Sequence, residues 1–131
     1  FRKYLNHEKG YSLDIGPQSN SDFILDFNTL QVDKKVQCIY SNSIDHCVDP
    51  DHSYMSWLSC LVQGGLLVVD FDCTNAKEDE SDCSIFTTKS VLSYLSGLEE
   101  ASLIDVLITP YRSLKEESYT DGYFRTIVKK K

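Results

Sequence analysis

The feature that most constrains the fold is a continuous apolar run, LLVVDF, at positions 66–71. A short run of branched apolar residues is typical of a strand that is buried on both faces of a parallel sheet. A second strand is predicted at residues 36–40, VQCIY. Because parallel strands need a long crossover connection, the unit at residues 36–71 predicts an α/β fold.

The connection between these two strands is predicted to contain an amphipathic helix. Apolar side chains recur there every three or four positions, at Tyr54, Met55, Leu58, Leu61 and Val62. Asp51 or Ser53 is the predicted N-cap. The pair Gly64 and Gly65 is predicted to end this helix before the buried strand begins.

The remaining segments predict one domain, residues 1–131, with a mostly parallel sheet and helices on both faces. A helix capped by Thr87 or Thr88 precedes two strands, at residues 103–109 and 123–128, which form an antiparallel pair at the carboxyl end. Upstream, short strands are predicted at residues 11–15 and 23–27, after a helix stub at residues 1–7.

Charge and cysteine content limit the partners of the chain. Its 131 residues carry 13 basic and 20 acidic side chains, a formal charge of -7. This charge repels phosphate backbones and anionic membranes, so neither nucleic acid nor a membrane is an expected partner. Five cysteines without a C-x-x-C pair favour reduced thiols. No apolar run approaches the roughly 20 residues that span a bilayer. We therefore expect a soluble, cytoplasmic protein.

Polar side chains follow the predicted strands at the edge where open parallel sheets bind ligands. They include Asp14, Asp26, Ser41, Asn42 and Asp70. A carboxylate at a strand end accepts hydrogen bonds from ribose hydroxyls in dinucleotide folds, which predicts a ligand that contains a nucleoside. Asp14 and Asp26 fit equally well as caps of loops and turns.

Two segments resemble the class I S-adenosylmethionine-dependent methyltransferases, which have a Rossmann-like fold. They are YSNSIDHCVDP at residues 40–50 and LVQGGLLVVDF at residues 61–71, and they stand at the separation typical of that family. The strand at residues 123–128 is similar to the antiparallel last strand of the family. The resemblance covers residues 11–128. It implies S-adenosylmethionine as cofactor and a small-molecule or cell-envelope-type methyl acceptor.

One element of that family, a glycine-rich loop after the first strand, is missing from this sequence. In one alignment, LDIGP at residues 13–17 is a degenerate form of the loop, with Gly16 near the cofactor. In the alignment we prefer, this segment ends the second strand and Asp14 holds the cofactor ribose. A difficulty is that residues 16–21 are too few for a parallel crossover, which normally needs about a dozen residues.

The preferred alignment implies that the chain lacks the first strand of the family. Absence of a central strand leaves two neighbouring strands with unpaired edges, so we expect an oligomer or a partner chain to cover the exposed sheet. The missing loop also leaves an alternative function open. In that alternative, the domain is non-catalytic and serves as a binding or assembly module.

The resemblance assigns further residues to the site. Asp26 falls where an acidic residue of the family meets the adenine amino group, with Phe27 and Asn28 beside it. Ser41 and Asn42 follow the next strand. His46 is the candidate general base, since an unperturbed pKa of about 6.5 suits proton removal. In the resembling families, a histidine at this position often orients the loop without doing chemistry.

Two other segments complete the predictions. The spacing of His46, Cys47, Asp51 and His52 fits no standard metal site, so no metal is predicted. The acidic residues 73–84 join the buried strand to the next helix, and both a mobile lid and a solvated loop are consistent with their composition.

Overall fold

A computed structural model describes residues 10–14, 16, 18, 20–72, 87–112 and 119–131. The strands of this part are β1 (Leu13–Asp14), β2 (Phe23–Ile24), β3 (Val36–Ser41), β4 (Leu61–Asp72), β5 (Ala101–Arg112) and β6 (Tyr119–Lys130). Its helices are a 3-10 helix (Phe27–Thr29), α1 (Pro50–Cys60) and α2 (Thr88–Ser96). The predicted helix stub at residues 1–7 and the acidic segment at residues 73–84 lie outside the described residues.

The main sheet has four strands in the order β3-β4-β6-β5. β3 and β4 are parallel, as predicted from the apolar runs. β6 lies antiparallel to both β4 and β5, which confirms the antiparallel pair at the carboxyl end. The α/β class is therefore confirmed, whereas the mostly parallel sheet is only partly right. Insertion of β6 between β4 and β5 makes two of the three pairings antiparallel.

Both described helices pack on one face of this sheet. Trp57 of α1 and Val91 of α2 belong to the same buried cluster as Leu67 and Val69 of β4. Side chains alternate along a strand, so Leu66 and Val68 point to the other face, and they stay half-buried. In the part of the chain that the structure describes, the predicted helices on both faces are not found, because both connections pass over the same side.

β1 and β2 form a separate two-stranded parallel sheet. Both strands are shorter than predicted, so the few residues between them suffice to join them. The predicted strand at residues 23–27 is wrong beyond Ile24. Asp26 accepts the Asn28 backbone N–H and turns the chain into the 3-10 helix that contains Phe27.

The glycine pair does not end helix α1. That helix begins after Asp49, whose side chain accepts the His52 backbone N–H at 3.0 Å, so the predicted cap at Asp51 or Ser53 is wrong. α1 ends at Cys60, and β4 follows without a turn. Within β4, Gly64 has a φ of 78° and a Cβ on Gly65 would lie 2.9 Å from the Val62 carbonyl oxygen. The pair therefore forms an irregularity of the strand that side chains would block.

The second helix, α2, begins as predicted. Thr87 is its N-cap, and the Thr87 and Ser90 side chains each accept a backbone N–H of the other residue, which forms a capping box. Among the described residues, neither helix has the length and apolar content to span a bilayer.

Candidate functional site

Asp14 lies at the end of β1, on the surface of the small sheet. Its backbone carbonyl accepts the Leu25 N–H at 3.0 Å, which places it beside the segment that leads to Asp26. Its Oδ1 accepts the Gly16 N–H at 2.8 Å. Asp14 therefore closes a local turn with Oδ1, while its Oδ2 makes no hydrogen bond to the described residues.

Asp26 plays the same local part after β2. Its Oδ1 accepts both the backbone N–H and the side-chain amide of Asn28, each at 2.8 Å. These hydrogen bonds to Asn28 lower the pKa of the exposed Asp26 carboxyl, because they favour its charged form. As in Asp14, Oδ2 of Asp26 makes no hydrogen bond within the described part of the chain.

Asn28 joins this segment to the rest of the molecule. Its Oδ1 accepts the Val48 N–H at 3.1 Å, in the loop that follows β3. The Trp57 indole of α1 donates to the Phe27 carbonyl at 2.6 Å. Phe27 is half-buried and packs against the core. The sequence assigned no role to Asn28, and its position beside Asp26 and Phe27 was the only signal for one.

The loop after β3 holds the remaining predicted residues. The Ser41 hydroxyl accepts the Ser43 N–H at 3.2 Å, and the Asn42 side-chain oxygen lies 3.4 Å from the Ser43 hydroxyl that donates to it. Buried Ile44 and Cys47, 1% and 0% exposed, anchor the loop in the core. Asn42 and His46 are exposed. The loop is thus fixed by its apolar residues and presents its polar ones to solvent.

The structure links the predicted site residues in two steps. Backbone pairing joins Asp14 at the end of β1 to Ile24 and Leu25, which lead directly to Asp26. The Asn28 side chain then connects the 3-10 helix with the loop that holds Ser41, Asn42 and His46. The arrangement presents two carboxylate oxygens that make no hydrogen bond to described residues, and these are acceptors suited to a ligand rich in hydroxyl and amino groups. The exposed His46 imidazole lies on the same loop as Ser41 and Asn42.

A second polar cluster lies on the sheet face opposite the helices. The Arg125 guanidinium makes a two-pronged ion pair with Asp70, both contacts at 2.6 Å, and Tyr40 donates to Asp70 at 3.0 Å. The Asp70 carboxylate raises the pKa of Arg125, and burial together with Asp70 raises that of Tyr40. Sequence reasoning noted Asp70 as a strand-end residue but missed the pairing with Arg125, 55 positions away.

Within the described ranges, no three His, Cys, Asp or Glu side chains gather as a metal site would require. The free thiols described there are Cys38, Cys47 and Cys60, of which Cys38 is exposed and the other two are buried.

Solved structures share the architecture that carries these residues. The N-methyltransferase NodS from Bradyrhizobium japonicum WM9 aligns with 90% of this chain at a TM-score of 0.65 and 11% identity, and 71% of its own chain is covered. NodS in complex with S-adenosyl-L-homocysteine aligns with 90% at a TM-score of 0.64 and 12% identity. An S-adenosylmethionine-dependent methyltransferase from Clostridium acetobutylicum ATCC 824 aligns with 80%, at a TM-score of 0.54 and 12% identity.

The chain has the fold of S-adenosylmethionine-dependent methyltransferases. It spans 64% of the NodS chain in the complex and 62% of the Clostridium protein. No protein-family model matches the sequence, and no curated protein matches it either. The likeness at these low identities is one of fold, and it agrees with the resemblance that the sequence motifs indicated.

Proposed function

We propose that this chain takes part in methyl transfer from S-adenosylmethionine to a small-molecule or cell-envelope-type acceptor. One observation carries the proposal. In a methyltransferase fold, Asp14 ends β1 and Asp26 follows the neighbouring parallel strand β2, and each has one carboxylate oxygen that makes no hydrogen bond to the described residues. Ligands of open α/β folds bind at this end of the strands.

The residues of the site fit the chemistry of the cofactor. Ribose hydroxyls and the adenine amino group are hydrogen-bond donors, and the two carboxylates are acceptors. We assign Asp14 to the ribose and Asp26 to the adenine amino group. Phe27 provides an apolar neighbour for the base, and Gly16 lets the backbone approach the ligand closely. Ser41 and Asn42 are assigned to the opposite side of the same ligand.

The proposed reaction requires the protein mainly to align the methyl donor with the acceptor. The cofactor supplies an electrophilic methyl group, so the main task of the chain is to hold the acceptor nucleophile in line. His46 is exposed on the loop after β3 and is assigned as the group that takes a proton from the acceptor. The net charge of -7 disfavours a polyanionic acceptor, which agrees with a small molecule.

Calorimetric titration with S-adenosylhomocysteine tests this proposal. The full chain should bind it, and Asp14→Ala should weaken binding by about 1.5 to 3 kcal/mol, since a charge-assisted hydrogen bond is lost. Asp33→Ala removes an exposed carboxylate of the same type outside the assigned site and should leave binding unchanged. A folded chain that binds nothing, or equal affinity in the two variants, would refute the assignment.

A further inference from the structure

A cavity of about 200 Å³ lies between the first turns of α1 and α2 and the end of β4. Its floor is apolar and fully buried, formed by Ile44, Phe71 and Val91, which are 1–2% exposed. Asp51 lines its exposed rim. The volume holds several water molecules or one small organic molecule, and it is below the roughly 300 to 1,000 Å³ of sites for drug-sized ligands.

Among the residues that the structure describes, two tyrosine hydroxyls at this cavity have no partner at hydrogen-bond geometry, although the Thr126 side chain lies close enough to that of Tyr54 to affect its pKa. Tyr54 is 1% exposed and Tyr94 is half-buried, and both line the cavity. The nearby Thr126 hydroxyl is turned to the Val69 carbonyl oxygen, at 3.4 Å. Buried polar groups in folded proteins are almost always paired, so two unpaired hydroxyls at one cavity indicate a partner that binds there.

The charges around the cavity favour a cation. Burial, together with the carboxylates of Asp51, Asp49 and Glu100, raises the pKa of the Tyr94 phenol to about 12, and burial also raises the pKa of the Tyr54 phenol. Both phenols therefore stay neutral at physiological pH and can accept hydrogen bonds. The rings of Tyr54 and Tyr94 meet edge to face at 5.6 Å, which adds aromatic walls to a negatively charged rim.

We propose that this cavity binds a small organic cation, a primary ammonium group on an apolar body. The three N–H donors of such a group match oxygen acceptors on Tyr54, Tyr94 and Asp51, whereas the Ser90 hydroxyl at the same cavity is already bonded to Thr87. The apolar body contacts the floor, and the charge is balanced by the Asp51 carboxylate. None of the residues assigned to the methyl-donating cofactor lines this cavity, although Ile44 of its floor belongs to the loop that follows Ser41 and Asn42.

The test uses three probes of one shape with the full chain at neutral pH: benzylamine, a cation; benzyl alcohol, neutral; and benzoate, an anion. Protein-detected NMR titration should show that benzylamine binds and shifts the amides of α1 and α2, and that the other two bind more weakly. Tyr54→Phe and Asp51→Asn should each weaken benzylamine binding by about threefold to tenfold. Asp33→Asn, an equivalent change of an exposed carboxylate elsewhere, should not.

Several results would overturn the proposal. The first is that benzylamine does not bind, and the second is that all three probes bind equally. The third is that Tyr54→Phe and Asp51→Asn both bind benzylamine as tightly as the parent chain. Each of these results would mean that the cavity holds solvent only. Tyr54→Phe keeps the buried ring and deletes an unpaired hydroxyl, so the free variant should be at least as stable as the parent. If it fails to fold, Asp51→Asn and Tyr94→Phe, at less buried positions, decide the matter. Titration with S-adenosylhomocysteine is read separately, so either proposal can fail alone.

Discussion

The electrostatics of the candidate site are set by individual side chains, and Asp26 is the clearest case. Hydrogen bonds from Asn28 hold the pKa of its carboxyl below the ordinary value of 3.8. A lowered folded-state pKa means that this carboxylate stabilises the fold above the unfolded-state pKa. That contribution is lost as the pH falls through the folded-state pKa.

We therefore expect Asn28→Ala to raise the pKa of Asp26 toward its ordinary value, because the side-chain hydrogen bond is the larger cause of the shift. Carboxyl-detected NMR titration measures this directly. Asn20→Ala, at an exposed residue outside the site, is the matched control. An Asp26 pKa that is the same in both variants would show that Asn28 does not set it.

Among the elements, β4 depends on its glycine pair. A Cβ at Gly65 would lie 2.9 Å from the Val62 carbonyl and 3.1 Å from that of Gln37. Gly65→Ala should therefore lower the free energy of unfolding by about 1 to 3 kcal/mol, the usual range for overpacking. The control is Gly97→Ala, where φ is -87° and the nearest atom is 3.4 Å from the added Cβ. Urea denaturation that gives equal stability for the two variants would contradict this account.

The strands were predictable from sequence wherever an apolar run had recognisable ends. The apolar segments of β3 and β4, the cap of α2 at Thr87 and the β5–β6 pair all follow from local pattern. The end of α1 could not be predicted from local pattern, because Leu61 and Val62 continue the helical spacing of apolar residues into β4. Position 65 needs glycine because the neighbouring strand approaches closely, and no local pattern reveals such a contact.

In the candidate site, too, some residues were predictable from the sequence and others were not. Strand-end carboxylates at Asp14 and Asp26 were visible in the sequence, since each follows a short apolar segment. The contact of Asn28 with Val48 spans 20 positions, and that of Arg125 with Asp70 spans 55. Such pairs depend on sheet order and register, which periodicity does not encode. The roles assigned to Asp14, Gly16, Asp26, Phe27, Ser41, Asn42 and His46 stay predictions.

For the whole molecule, the notable surface is the sheet face opposite α1 and α2, here called the open face because none of the described helices packs on it. Leu66, Val68 and Ile127 lie half-buried on the central strands, with Tyr40 37% exposed beside them. Central strands that carry apolar side chains on both faces are normally covered on both. The covering partner expected from sequence stays a prediction, and we take a second copy of the chain as the occupant.

Sedimentation velocity tests this expectation. The chain should associate as its concentration rises, and Ile127→Lys should abolish association by placing a charge on the open face. Leu92→Lys alters an exposed leucine of α2, 36% exposed on the other side of the sheet, and should leave association intact. A parent chain that stays monomeric at all concentrations would contradict the prediction.

We propose above all that the strand-end loops of this fold hold a nucleoside cofactor. Amide chemical shifts recorded during titration of the full chain with S-adenosylhomocysteine test it most directly. The account predicts shifts at Asp14, at Gly16, and across residues 26–28 and 41–46, because these positions surround the assigned ribose and adenine contacts. Absence of shifts in a folded chain, or shifts concentrated on the open face or on α2, would contradict it.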